Sequence, residues 1–150
     1  MCKHYTIEEI GELVMLARGM KLSGVEILDG LSIDEIRDKA NGIGADWMPD
    51  ALRELVDTLN PSLEPVALVH DLEFDKGGDR LAFLSSNRRF YDNGLKSAKW
   101  HYGWYNPARY YVMYQAWKFW KLLDRLGHLA WKGAANPVID ESGVDQPDVT

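Results

Sequence analysis

His70 and Asp71, adjacent in the sequence, are the two residues whose types and position best fit a catalytic function. A neutral imidazole can act as a general base on a water molecule, and a carboxylate beside it can hold a cation that polarises a substrate carbonyl. The same pair is also typical of a histidine that is hydrogen-bonded for structural reasons beside a solvated aspartate. The elements that position the pair decide between these interpretations.

Two helices joined by a tight turn are predicted to position the pair. Residues 64–74 form an apolar run typical of a helix, and residues 75–78 include two glycines, which accept the positive φ of a tight connection. Residues 79–91 favour a second helix that runs back beside the first, because a short connection makes neighbouring helices antiparallel. This hairpin would bring Asn87 close to His70.

A glycine-containing segment precedes the hairpin. Residues 41–47 include Gly42 and Gly44, which let the backbone turn tightly and direct successive carbonyl groups inward. Carbonyl oxygens together with a carboxylate are the ligands that Ca²⁺ prefers. Taken alone, the same spacing more often marks an ordinary helix end followed by a turn.

The order of these features resembles the secreted phospholipase A2 superfamily, and most of all its short prokaryotic and phage-encoded members. The resemblance covers residues 41–94, from the Gly-x-Gly loop through His-Asp-x-x-Phe to a polar residue followed by x-x-Phe. It implies calcium-dependent hydrolysis of a phospholipid acyl ester without a covalent intermediate. It assigns the general base to His70, its orientation to Asn87, support to Phe74 and Phe90, and the Ca²⁺ ligands to Asp71, Asn41, Gly42 and Gly44.

Three departures from the family pattern motivate a second hypothesis. The family's disulfide cysteines are missing, because Cys2 is the only cysteine, and Phe74 replaces a tyrosine. Asn87 replaces an aspartate and cannot supply negative charge to an imidazolium; the equivalent change in a serine-protease triad costs about 10⁴ in kcat. Asp75, Asp79 or Asp92 could substitute for it. The second hypothesis is a non-catalytic phage or prophage-type interaction or structural protein on the same scaffold.

The net charge of −6 conceals a basic aromatic segment, residues 96–132, which holds seven Lys/Arg, one acidic residue and five of the six tryptophans. Such a segment could bind a membrane interface, a partner protein or single-stranded nucleic acid. It could equally be a core helix whose lysines lie in solvent. The overall acidity favours membrane or protein over nucleic acid. The predicted interface residues are Trp100, Trp104, Trp117, Lys118, Trp120, Lys121, Arg125 and Trp131.

Further local signals predict helices on both sides of the hairpin. Capping boxes at 6–9 and 32–35 predict helices over about 7–18 and 33–40, and a proline-started helix follows at about 50–59. Pro107 opens a long helix that ends near Leu126 or Trp131. Residues 25–28 could form a short strand or an extended linker, and residues 92–94 read as a turn.

The expected fold is therefore all-α, with five or six helices around a central antiparallel helical hairpin. Residues 1–132 form a single domain, and the acidic residues 133–150 form a flexible tail. No apolar run approaches the roughly 18 residues of a transmembrane helix, and the first residues lack an apolar signal core. We expect a cytoplasmic or virion-associated protein.

Overall fold

A computed structural model describes residues 4–42, 50–129 and 131–132. These residues form six α-helices and no strand, which confirms the all-α prediction. Gly44 and the predicted tail, residues 133–150, lie outside the described residues. The helices are α1 (Ile7–Gly19), α2 (Ile33–Gly42), α3 (Asp50–Asp57), α4 (Glu64–Lys76), α5 (Arg80–His101) and α6 (Pro107–Leu126).

Side-chain caps fix the starts of α1, α2, α5 and α6, and the sequence predicts the first two. The Thr6 hydroxyl accepts a hydrogen bond from the Glu9 amide at 3.2 Å, at the start of α1. The second capping box is reciprocal: the Ser32 hydroxyl accepts from the Glu35 amide, and the Glu35 carboxylate accepts from the Ser32 amide. Asp79 and Asn106 cap α5 and α6 in the same way. These bonds satisfy amide groups that a helix start leaves without a partner.

The helical hairpin consists of α4 and α5, joined through two glycines. Gly77 and Gly78 have φ of 70° and 140°, a region that favours glycine. Residues 131–132, which we call the C-terminal segment, cross this connection. The Lys132 carbonyl accepts from the Gly78 amide, and the Lys132 amide donates to the Phe74 carbonyl. A Cβ atom at Gly77 would lie only 1.5 Å from the Lys132 carbonyl oxygen. Glycine is therefore required where the two segments meet.

Two predictions of local structure are wrong. Residues 92–94 do not form a turn, because α5 continues through them. The Asn93 side chain accepts from the Ser23 amide at 2.7 Å and donates to the Ser23 carbonyl at 2.9 Å, while Gly94 packs against Ala116 of α6. Val25–Leu28 is a 3₁₀ helix rather than a strand or an extended linker.

The core lies where α1, α2 and α5 pack against α4, with α6 packed along α5. Its largest fully buried side chains are Phe83, Phe90, Ile10, Leu22, Leu28, Ile36, Leu63, Val66, Val69, Val112 and Asn87. The chain between α3 and α4 is held to α6 by the buried Gln115, which accepts from the Asn60 amide and donates to the Thr58 carbonyl. Across residues 4–42, 50–129 and 131–132, no helix combines the length and apolar character needed to cross a bilayer.

Candidate functional site

His70 lies inside the hairpin rather than in an open pocket. Its ring is packed against Phe74 and Phe90, with centroids 4.2 and 5.4 Å away, and Phe119 lies at 6.5 Å. Only 5% of the residue is exposed. A general base that acts on water must be open to solvent, whereas aromatic rings from α4, α5 and α6 enclose this imidazole. Burial lowers the pKa of His70 to about 4, although the hydrogen bond to Asn87 acts in the opposite direction.

A hydrogen-bonded triad links His70 of α4 to α5 and α6. His70 Nε2 lies 3.0 Å from Asn87 Oδ1, and Asn87 Nδ2 donates to Asp124 Oδ1 at 3.0 Å. Asn87 is fully buried, so these are the hydrogen bonds that satisfy its amide group. The predicted approach of Asn87 to His70 is confirmed. We refer to His70, Asn87 and Asp124 as the buried triad.

Asp124 was not among the predicted site residues, although the sequence contains a signal for it. It is the only acidic residue in the basic aromatic segment. The aspartates proposed to replace Asn87 serve other purposes: Asp75 pairs with two lysines, Asp79 caps α5, and Asp92 pairs with an arginine one turn earlier.

Asp71 follows His70 but has a different environment. Its carboxylate makes no hydrogen bond or ion pair with the described residues, and burial alone raises its pKa to about 7. The Tyr5 hydroxyl lies nearby: burial raises its pKa, and the carboxylates of Glu64, Asp71 and Glu9 raise it further. A desolvated carboxylate is stabilised by a proton or by a cation.

The predicted Ca²⁺ loop is only partly within the described residues. Asn41 and Gly42 form the last residues of α2, and residues 43–45 lie outside the described part. An ion pair between Lys39 and Asp75 ties this end of α2 to α4, one helical turn after Asp71. In the described part of the chain, no three His, Cys, Asp or Glu side chains are grouped so that they could hold a metal ion.

Large aromatic side chains form an exposed surface at the α5–α6 connection and along α6. We call it the aromatic surface and define it as Trp104, Tyr105, Tyr110, Tyr114 and Trp117, which are 45–75% exposed. Trp100, at the end of α5, is also exposed. The predicted interface role of Trp131 is wrong, because its indole packs edge-on against Phe74 and Phe83 and only 6% of the residue is exposed.

Trp120 is also partly enclosed. Its ring stacks on Tyr91 at 5.0 Å and lies beneath Arg88 and Lys121, whose charged groups are 4.9 and 3.9 Å from its centre. Lys118, Lys121 and Arg125 are exposed, as predicted for an interface. The structure thus places the basic residues beside the aromatic surface and leaves Trp120 at its inner edge.

A cavity of about 400 Å³ is lined by residues that sequence reasoning did not select, among them Gly24, Glu73, Arg89 and Trp131. Glu73 and Arg89 form an ion pair of 2.7 Å within it. Gly24, with φ of 83°, covers this pair, since a Cβ atom there would lie 2.6 Å from Glu73 Oε1. The contacts of Glu73 and Arg89 fit a role in packing the Gly24 turn onto the hairpin.

Comparisons of the chain with models of protein families, with curated proteins and with solved structures gave no match. The triad, Asp71 and the aromatic surface are the features of the described residues that bear on function.

Proposed function

We propose that the protein binds an anionic phospholipid surface through the aromatic surface. The observation that supports this most is the exposure of five large aromatic side chains in one part of the fold. Contiguous exposed apolar patches on soluble domains commonly mark sites of protein or membrane contact. Tyrosine and tryptophan suit the headgroup region, because each combines an apolar ring with a polar group.

The arrangement along α6 fits a planar partner. Tyr110, Tyr114, Trp117 and Lys121 follow helical spacing, so they form one stripe about 16 Å long. The Tyr110 hydroxyl donates to the Trp104 carbonyl at 2.6 Å, which fixes the preceding connection against the start of the stripe. The rings of Tyr114 and Trp117 are stacked, 6.2 Å apart.

The charge of the same segment favours an anionic partner. Residues 96–132 hold seven Lys/Arg, and their single acidic residue, Asp124, is bonded to the buried Asn87. Each cationic side chain close to an anionic bilayer contributes about 1 kcal/mol. If each of two rings buries about 100 Å² of apolar area, each adds ~2–3 kcal/mol.

Sedimentation with vesicles tests this proposal. We expect the protein to bind vesicles containing phosphatidylserine or phosphatidylglycerol, and to bind phosphatidylcholine vesicles much more weakly. The double variant Trp104→Ala/Trp117→Ala should weaken binding at least about tenfold. Leu81→Ala is the matched control, because Leu81 is 73% exposed on α5 outside the aromatic surface.

Three results would contradict membrane binding through the aromatic surface. Equal binding by the control and the tryptophan variant would show that another surface is responsible. Salt-sensitive binding to single-stranded DNA without binding to vesicles would instead assign the same residues to nucleic acid. Self-association that is lost in the tryptophan variant would assign them to an interface between copies of the chain.

Calcium-dependent phospholipid hydrolysis is a second candidate, favoured by the hydrogen bond between His70 and Asn87. With Asn87 holding Nε2, the other ring nitrogen of His70 would accept the proton of the attacking water. Asp71 fits a cation ligand, because its desolvated carboxylate lacks an ion pair within the described residues. Bound Ca²⁺ would supply polarisation of the ester carbonyl. The enclosed position of the imidazole opposes this function, which is why we rank it second.

Release of fatty acid from mixed anionic vesicles in the presence of Ca²⁺ tests the second candidate. His70→Ala should abolish the release, whereas the control His101→Ala, at the exposed end of α5, should retain it. Activity that survives His70→Ala would place the base elsewhere. The absence of any release by the wild-type protein would remove the hydrolase candidate and leave vesicle binding unaffected.

A further inference from the structure

Within the buried triad, Asp124 determines how the side chains of Asn87 and His70 are oriented. Asp124 in its ionised form can only accept hydrogen bonds, so the amide nitrogen of Asn87 must face it. The amide oxygen of Asn87 must then face His70, at 3.0 Å from Nε2. An oxygen acceptor at this distance requires that Nε2 carry the proton.

We propose that Asp124 is a positioning residue that fixes the Nε2–H tautomer of His70 through the amide group of Asn87. The inference rests on the hydrolase candidate for its use, because that reaction needs an unprotonated Nδ1. Its geometry depends only on the two hydrogen bonds of the triad.

Burial raises the pKa of Asp124, and hydrogen bonds from Asn87 and Trp120 and the charge of Lys121 act in the opposite direction. The hydrogen bond from the Asn87 amide is therefore one that the carboxylate accepts in its ionised form. Rotation of the Asn87 amide by half a turn would direct its NH₂ group at a protonated Nε2 and its oxygen at the carboxylate. Both contacts would be repulsive, and Asn87 is fully buried, so water cannot replace them.

The triad also accounts for an asparagine at a position where an aspartate would contact the histidine directly. The negative charge lies at position 124, on α6, instead of at position 87, on α5. Asn87 bonds to both Asp124 and His70, so the carboxylate orients the histidine through the amide group. The histidine is therefore oriented without a charged group in direct contact with it. The pair of helices α5 and α6 supplies both groups, so the tautomer depends on their packing.

Two-bond ¹H–¹⁵N correlation spectra of the full chain, labelled with ¹⁵N-histidine, test the inference at neutral pH. The His70 signals are assigned by their loss in His70→Gln. We expect the wild-type ring to be almost entirely Nε2–H. In Asp124→Asn the amide at position 87 can bond in either orientation, so the Nδ1–H form should rise to about one half.

Two further variants keep the test decisive. Asp124→Ser, whose hydroxyl can donate or accept, should give a similar mixture and serves where Asp124→Asn does not fold. The exchanged double variant Asn87→Asp/Asp124→Asn restores a carboxylate acceptor for Nε2 and an amide donor behind it, so it should return the ring to Nε2–H. A purely structural role for Asp124 would change stability without changing the tautomer.

The outcomes separate this inference from the hydrolase candidate. A wild-type ring in the Nδ1–H form, or an unchanged Nε2–H form in both Asp124 variants, would overturn the inference. The expected tautomers in a protein that releases no fatty acid would support the inference and remove only the hydrolase candidate.

Discussion

The carboxyl group of Asp71 should make the stability of the protein depend on pH. In the folded protein its pKa is about 7, raised from 3.8 by burial. Below pH 3.8 the group is protonated in both states and costs nothing. Between pH 3.8 and about 7, the unfolded chain has released the proton that the folded protein retains. The free energy of unfolding therefore falls as the pH rises through this range. The variant Asp71→Asn removes this effect.

The shift sets an upper limit on the gain in the variant. The rise of the pKa from 3.8 to about 7 corresponds to about 4 kcal/mol at pH 8. We expect about 1–3 kcal/mol, because Asp71 retains some contact with solvent. At pH 4 the variant and the wild type should differ by less than about 1 kcal/mol.

His70 acts in the opposite direction, and the comparison of variants removes its contribution. Its pKa falls from 6.5 to about 4 on folding, so the stability it contributes is present above pH 6.5 and is lost as the pH falls through 4. This loss occurs equally in the wild type and in Asp71→Asn. The difference between the two proteins at each pH therefore reports Asp71.

Urea unfolding followed by circular dichroism measures this difference from about pH 4 to about pH 8. Asp38→Asn is the control, since Asp38 is exposed and its pair with Arg37 is a surface ion pair of 3.6 Å. A difference between Asp71→Asn and the wild type that does not change with pH would refute the reasoning. Added Ca²⁺ should stabilise only the wild type, if Asp71 holds the cation.

Three further predictions concern packing and buried hydrogen bonds, measured by the same unfolding assay. Gly94→Ala should destabilise the folded protein by about 1–3 kcal/mol, because the new Cβ would lie 2.5 Å from that of Ala116. Gly11→Ala, with open space around the new Cβ, should stabilise the folded protein by about 0.5–1 kcal/mol. Equal effects of the two changes would contradict the close helix contact. Gln115→Leu should cost about 1–3 kcal/mol by leaving two backbone groups unpaired, and a neutral effect would show that water replaces them. Trp131→Ala should cost about 3–5 kcal/mol, and less than 1 kcal/mol would mean that the C-terminal segment is not packed on the hairpin.

The features that could be predicted from the sequence are those set by neighbouring residues. Capping boxes identified the starts of α1 and α2, and the paired glycines identified the hairpin connection. Helical spacing and an antiparallel connection were sufficient to place Asn87 near His70. In each case the cause lies within a few residues or follows from a single short turn.

The features that could not be predicted depend on contacts between distant parts of the chain. Asp92-Asn93-Gly94 has the composition of a turn, but Asn93 instead bonds to a backbone 70 residues away and Gly94 admits α6. Trp131 has the same local pattern as the exposed tryptophans, and its burial follows from the return of the chain to Gly78. The enclosure of His70 likewise requires Phe119 from a third helix.

The two candidate functions meet on α6. Asp124 of the buried triad lies one turn after Lys121, which lies over the Trp120 ring and whose charge favours the ionised carboxylate. An anionic surface that draws Lys121 away would therefore weaken this support for Asp124. If the aromatic surface and the triad act together, vesicle binding should increase the Nδ1–H fraction of His70, and Trp104→Ala/Trp117→Ala should prevent the increase. If they are independent, the tautomer should stay the same with vesicles present, because Asn87 and Asp124 remain bonded inside the fold.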